Sequence, residues 1–125
     1  MKHFEAGEVK GWLHEPKGAA SSVVALTHGA GSNCEAPFLK AAAEALAAGG
    51  FAVLRYDLPF QREGVKTLSL SQQTRDREGI TRTASALRAR FSGLPLVLAG
   101  HSYGGRQSSM LAAEQQGAAH ALLLL

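Results

Sequence analysis

Four short apolar runs, the first three each closed by a loop of glycine or turn residues and all four separated by segments of helical periodicity, constrain this chain more than any other feature. Ser22-Val23-Val24-Ala25-Leu26-Thr27, Phe51-Ala52-Val53-Leu54-Arg55-Tyr56, Leu96-Val97-Leu98-Ala99 and Ala121-Leu122-Leu123-Leu124-Leu125 are too short for helices and apolar on both faces. That is the profile of strands covered on both sides. Between the first two, Pro37 suits a first helical position, and Phe38, Ala42, Ala45 and Leu46 recur at helical spacing until Gly49-Gly50. Ile80, Ala84, Leu87 and Phe91 share another helical face, closed by Ser92-Gly93 and Pro95. A third helix is expected from about Tyr103 to Gln116, capped by Gly117. Strands alternating with helices require right-handed crossovers and a parallel sheet with helices on both faces.

Two segments are less regular. Phe4 to Glu15 alternates around Gly7 and Gly11 and reads as a β-hairpin at the sheet edge. Gln61 to Glu78 is polar and charged, and reads as an exposed connection with a short helical start near Ser71.

Composition narrows the class. The 125 residues allow one domain, and 46% apolar with 18% charged residues is a globular balance. No run is long enough to span a bilayer, and the first residues carry no apolar signal-peptide core, so a cytosolic location and no membrane contact are expected. The net charge of +3 is spread from Lys2 to Arg106, and the eight Phe, Trp and Tyr do not interleave with it, so nucleic acid is not implied. The single cysteine, Cys34, fits a reducing compartment and provides no zinc-site spacing. Gly29-Ala30-Gly31-Ser32-Asn33-Cys34 lacks the third glycine of a dinucleotide loop, and no phosphate-binding G-x-x-x-x-G-K-[ST] occurs. No cofactor and no metal are expected.

The chemistry concentrates in two loops at carboxyl ends of strands, where open parallel sheets bind ligands. Gly100-His101-Ser102-Tyr103-Gly104 fits G-x-S-x-G directly between a strand and a helix. A nucleophile on so sharp a turn needs neighbours two residues away without side chains, and Gly100 and Gly104 supply them. The helix starting there aims free N–H groups at developing negative charge, so Tyr103 N–H is one expected oxyanion donor. His28-Gly29-Ala30-Gly31 stands where the second donor is expected: Ala30 N–H, with Gly29 N–H as the fallback.

Thr27 to Asn33, Ala36-Pro37-Phe38, Leu54 to Phe60 and Gly100 to Arg106 resemble, in order, segments of the α/β-hydrolase superfamily. The resemblance is closer to its small dienelactone-hydrolase-like branch, including the subgroup related to testis-expressed protein 30, and runs from about Ser22 to the end. It implies an α/β-hydrolase-type, mostly parallel sheet with helices on both faces. It also implies Ser102 as the catalytic nucleophile, Ala30 and Tyr103 as the oxyanion hole, and hydrolysis of an ester, thioester or related acyl bond of a small molecule without a cofactor. Members of the closer subgroup often carry Lys where this chain has His101, a departure that favours an esterase-like elbow.

In that superfamily an acid and then a histidine follow the nucleophile on later loops. After Ser102 only Glu114 and His120 have suitable chemistry. Glu114 falls about three helical turns from the elbow and reads as a surface residue, and His120 as a loop or strand-entry residue. The chain therefore reads as a single, incomplete domain over 1–125, with a hairpin in 1–16 and a βαβαβαβ core in 22–125. Its sheet is expected to be truncated after the strand that follows the nucleophile helix. Without a base it is expected to be nearly inactive by itself. The alternative is a non-catalytic interaction module of the same fold. Leu122 to Leu125 would form an apolar edge strand open to self-association.

The remaining polar residues take quieter roles. His28 reads as orienting the oxyanion loop, and His101 as a packing residue, because successive strand side chains point to opposite faces. Asp57 is either a substrate contact or, preferably, a turn cap. Cys34 reads as a small buried or loop residue, and Arg55 and Arg106 as candidates to pair with acids near the site.

Overall fold

A computed structural model describes residues 1–125. The elements run β1 (Lys2–Ala6), β2 (Val9–His14), β3 (Ser22–Thr27), α1 (Pro37–Ala48), β4 (Phe51–Tyr56), α2 (Pro59–Glu63), α3 (Leu70–Arg90), β5 (Leu96–Gly100), α4 (Tyr103–Glu114) and β6 (Ala121–Leu124). One six-stranded sheet has the order β1-β2-β4-β3-β5-β6. β1 and β2 form an antiparallel hairpin that pairs antiparallel with β4, whereas β4, β3, β5 and β6 are parallel. No helix is long and apolar enough to cross a membrane.

Side chains of the parallel strands alternate between two cores, as the strand period of two requires. Val24, Leu26, Val53 and Ala99 pack with Leu39 and Ala43 of α1. Val23, Ala25, Leu54 and Leu98 pack on the opposite face with Ile80, Ala84 and Leu87 of α3 and Leu111 of α4. Helices thus cover both faces of a mostly parallel sheet, the architecture expected from the alternating pattern. Because β3 lies between β4 and β5, the chain leaves β3 in one direction and returns on the other side, and the register pairs Thr27 with Gly100 at the adjoining carboxyl ends. The two glycine loops therefore emerge side by side, at the place where such sheets bind ligands.

Two expectations need correction. The polar stretch 61–78 is not an open connection: α2 ends in it, and α3 begins at Leu70 and runs 21 residues, its N-cap Ser69 accepting from Gln72 N–H at 3.1 Å. The buried stripe of α3 keeps its helical spacing from Gln72 through Asp76, Gly79, Ile80 and Thr83 to Leu87, but its first members are polar or glycine. In α1 the core stripe is Leu39 and Ala43, flanked by Ala42 and Leu46, so it lies one residue from the expected phase. Phe38 is half exposed and turns toward the loop after β5. An alanine-rich helix has few large residues to fix its rotation.

Candidate active site

Ser102 is the N-cap of α4 and the one non-glycine residue with positive φ, at φ 51 and ψ −114. That conformation is costly for a residue with a Cβ. It is held by the close approach of β5 to α4. A Cβ on Gly100 would fall on the backbone of Gly104 and Gly105, and a Cβ on Gly104 would meet His28 O and lie 2.7 Å from Thr27 Cγ2. Ser102 N–H donates to Leu125 O and Ser102 O accepts from Arg106 N–H, so the turn is tied on both sides. Its side chain is exposed at the carboxyl edge of the sheet. Replacing Ser102 by Gly is expected to raise stability by roughly 1 kcal/mol by releasing this strain, measured by urea unfolding; a less stable Ser102→Gly protein would show that the turn is relaxed.

The loop after β3 lies against the elbow. A Cβ on Gly29 would sit 3.4 Å from His101 O and 3.5 Å from Ser102 Cβ. Neither Ala30 N–H nor Tyr103 N–H donates to any protein acceptor, and Ala30 is exposed beside the elbow. Gly29 N–H is likewise unpaired, but the residue is buried. Two amides on adjoining loops, one of them at a helix N-terminus, are thus left without a protein acceptor.

His28 is fully buried and locks the first loop. Its Nδ1 lies 2.9 Å from Gly29 O, and its Nε2 accepts from Leu58 N–H at 3.1 Å. A carbonyl on one side and an N–H on the other fix the neutral tautomer with the proton on Nδ1. Burial holds its pKa below the ordinary value, outweighing the Gly29 carbonyl and the Asp57 and Asp76 carboxyls, which favour protonation. Asp57 Oδ1 lies 3.5 Å from Nε2, but with Nε2 occupied by Leu58 N–H the pair is not an ion pair. Asp57 Oδ1 instead accepts from Cys34 N–H at 2.7 Å, bracing the end of β4 against the loop after β3. Cys34 is buried, and burial followed by the neighbouring Asp57 pushes its thiol up to about 12.

Arg55, fully buried in β4, grips the same loop. Its Nε–H donates to His14 Nε2 at 2.9 Å and its Nη1 to Cys34 O at 2.5 Å, with Glu35 Oε1 at 3.4 Å. Arg106 is exposed and forms no ion pair. Burial, then the Arg55 charge, also holds His14 below its ordinary pKa.

With both His14 and His28 depressed, the native chain binds fewer protons than the unfolded chain below the ordinary imidazole value of 6.5. Their stabilisation is present above that value and is lost as pH falls from it toward their lowered native values, at up to about 1.4 kcal/mol per pH unit for each group. Urea unfolding near pH 7.5 and pH 5.5 is expected to show lower stability at the acid side, with a smaller drop in His28→Gln. Equal drops in both proteins would remove His28 from this account.

No histidine hydrogen-bonds Ser102 Oγ. His101, adjacent to it, is exposed and packs on Phe38 with ring centroids 4.8 Å apart. His120 Nδ1 accepts from Leu96 N–H at 3.0 Å and the His120 main-chain N–H donates to Leu96 O, which places it at the amino end of β5, a strand length from the elbow. Glu114 pairs with Arg77 Nε at 3.1 Å. His3 packs on Trp12 in the hairpin.

A cavity of about 390 Å³ opens beside Ala30, lined by Gly31, Phe60, Val65, Lys66 and Leu68 among others. A larger one of about 550 Å³, between Glu15–Ala19 and the end of α1, lies at the opposite edge of the sheet and has no serine, threonine or cysteine in its wall.

The sequence matches the family described as alpha/beta hydrolase domain over residues 20–125. No curated protein matches it. Among solved structures it is similar to a dienelactone hydrolase from Anabaena variabilis, at 27% identity and TM-score 0.81 over 98% of this chain and 60% of that one. A Thermus thermophilus protein, TT1662, aligns at 26% identity and TM-score 0.80 over 98% of this chain and 54% of its own. A Xanthomonas campestris protein described as an α/β serine hydrolase without a lid aligns at 25% identity and TM-score 0.71 over 93% and 53%. The chain thus spans no more than 60% of the length of any of these three.

Proposed function

The chain belongs to the α/β-hydrolase family, and from that premise we propose that it carries the nucleophile and oxyanion hole of a serine hydrolase acting on an ester, thioester or related acyl bond. The observation that carries the reading is the strained Ser102 at the start of α4, with the Gly29 loop against its Cβ and the Ala30 and Tyr103 amides unpaired. In this reading Ser102 Oγ attacks the acyl carbon and gives its proton to a base. The carbonyl oxygen becomes an oxyanion between Ala30 N–H and Tyr103 N–H, and collapse of the adduct expels the alcohol or thiol and leaves an acyl-serine for water. The cavity beside Ala30, walled by Phe60, Val65 and Leu68, is the seat we assign to an apolar part of the substrate.

A base is the missing partner, since none of the five histidines bonds to Ser102 Oγ. We place the base and its orienting acid beyond Leu125, so that residues 1–125 alone are nearly inactive. Added imidazole can then stand in for it. The 125-residue chain should accelerate the release of p-nitrophenolate from p-nitrophenyl acetate in imidazole buffer above the rate with imidazole alone. No protein-dependent release at any imidazole concentration favours the second reading, a non-catalytic interaction module of the same fold. The exposed apolar edge of β6, with Leu122 and Leu124, is proposed as a self-association edge. Light scattering tests it, and a clean monomer rejects it. The single buried Cys34 is in keeping with a reducing, cytosolic compartment.

A further inference from the structure

Asp76 is fully buried, although its place on α3 continues the stripe that farther along carries Ile80, Ala84 and Leu87. A carboxyl there costs more than an aliphatic side chain unless its oxygens are satisfied. Three donors satisfy them. Phe60 N–H and the Gln72 side-chain amide donate to Oδ1 at 3.0 and 3.1 Å, and Tyr103 OH donates to Oδ2 at 2.6 Å. One carboxyl thus joins α2, α3 and the first residue of α4.

Of its partners, Phe60 and Tyr103 also touch each other, and Phe60 touches the loop after β3. Phe60 packs edge-on against Tyr103, with centroids 5.6 Å apart and planes at 88°. On its other side Phe60 packs against His28 at 5.4 Å and 64°. His28 in turn bonds Gly29 O, directly before Ala30. A row of three rings, His28–Phe60–Tyr103, therefore stands between the two loops that offer the free amides, and Asp76 anchors its middle and one end.

We infer that Asp76 is a positioning residue, which acts through Phe60 and Tyr103 to set the separation of the Ala30 and Tyr103 amides. This rests on the oxyanion assignment above. It follows that loosening the row moves both donors relative to Ser102 without removing either, and small misplacements of donor groups slow reaction steeply.

Tyr103→Phe deletes only the hydroxyl and keeps the ring contact, whereas Asp76→Asn keeps an acceptor for Phe60 N–H. Phosphonylation by a fluorophosphonate in imidazole buffer is the probe. Tyr103→Phe should lower the maximal labelling rate by roughly 10-fold with the half-saturating concentration unchanged. Adding Asp76→Asn to it should cost less than Asp76→Asn costs alone, because the two groups act as one unit. A second readout does not depend on reaction: the amide signal of Ala30, on the other loop, should shift in Asp76→Asn. Folded Tyr103→Phe that labels at the wild-type rate, or an Ala30 signal unmoved in Asp76→Asn, overturns the inference. An unlabelled wild-type protein instead refutes the hydrolase reading, and the Ala30 signal then decides by itself whether the ring row couples the loops.

Discussion

Ser102→Ala is expected to reduce ester hydrolysis in imidazole buffer to the rate of imidazole alone, while the protein stays folded. Alanine keeps the Cβ and removes only Oγ, the atom that would take the acyl group. The side chain is exposed, and the hydroxyl braces nothing: Ser102 is tied through its main chain, N–H to Leu125 O and carbonyl to Arg106 N–H. Thermal and urea unfolding should therefore stay within about 0.5 kcal/mol of the wild type. The contrast with Ser102→Gly is informative. Both variants lose the hydroxyl, but only glycine relaxes φ 51, ψ −114. Equal loss of activity in the two, with higher stability in the glycine variant alone, would separate nucleophile from backbone strain. Hydrolysis that survives Ser102→Ala would assign the chemistry to another group.

A large stability effect is expected at Gly104. A methyl group there would meet His28 O, Thr27 Cγ2 at 2.7 Å and Thr27 C at 3.2 Å, and two of those three atoms are backbone. Neither β3 nor α4 can withdraw cheaply. Thr27 pairs with Tyr56 and with Gly100 in the centre of the sheet, and α4 packs through Leu111 into the main core. Overpacking against backbone should cost about 3 kcal/mol or more, lowering the melting temperature by about 10 °C in a domain of this size. Gly18→Ala is the control, since a methyl there meets nothing within 4 Å and its backbone is not left-handed. It should change stability by less than about 0.5 kcal/mol. Equal melting temperatures for Gly104→Ala and Gly18→Ala would mean that the strand and helix at the elbow are not in close contact.

What the sequence reveals of this fold depends on whether burial is achieved with apolar side chains. Val23 to Leu26, Ala52 to Leu54 and Leu96, Leu98 and Ala99 are buried among hydrocarbon, and the composition of these runs alone marks them as strands. One face of the front half of α3 is buried as well, but through Gln72 and Asp76, which bond each other, with Asp76 also accepting from Phe60 N–H beneath the elbow. Hydrophobic periodicity cannot detect such a face, and the segment resembles a loop. Pro59 at the first turn of α2 was an available signal, since Phe60 follows it, but five residues are too few for a pattern. In α1 the rotation was ambiguous because alanines occupy most positions.

The site divides in the same way. Ser102, Ala30 and Tyr103 stand out because their loops require glycine at fixed offsets, and chain geometry brings those loops together at the Thr27 and Gly100 ends of paired strands. The role of His28 could be inferred only in outline. Its bond from Leu58 N–H and its ring contact with Phe60 join residues 30 and 32 positions apart. Asp76 gave no sign at all, because a polar residue in a polar stretch looks solvated until the fold buries it. Arg55 stands out in its apolar strand as a candidate to pair with an acid, and Glu35 Oε1 does lie 3.4 Å from it, but its other partners His14 and Cys34 come from separate parts of the chain.

The central claim is that Ser102 is a nucleophile facing two oxyanion donors. Its most direct test is the intact mass of the protein after treatment with a fluorophosphonate in imidazole buffer, followed by mapping of the modified peptide. The account predicts one phosphonyl group per chain, with fluoride as the leaving group, on the peptide that contains Ser102. An unmodified mass, or an adduct on any other residue, would contradict it.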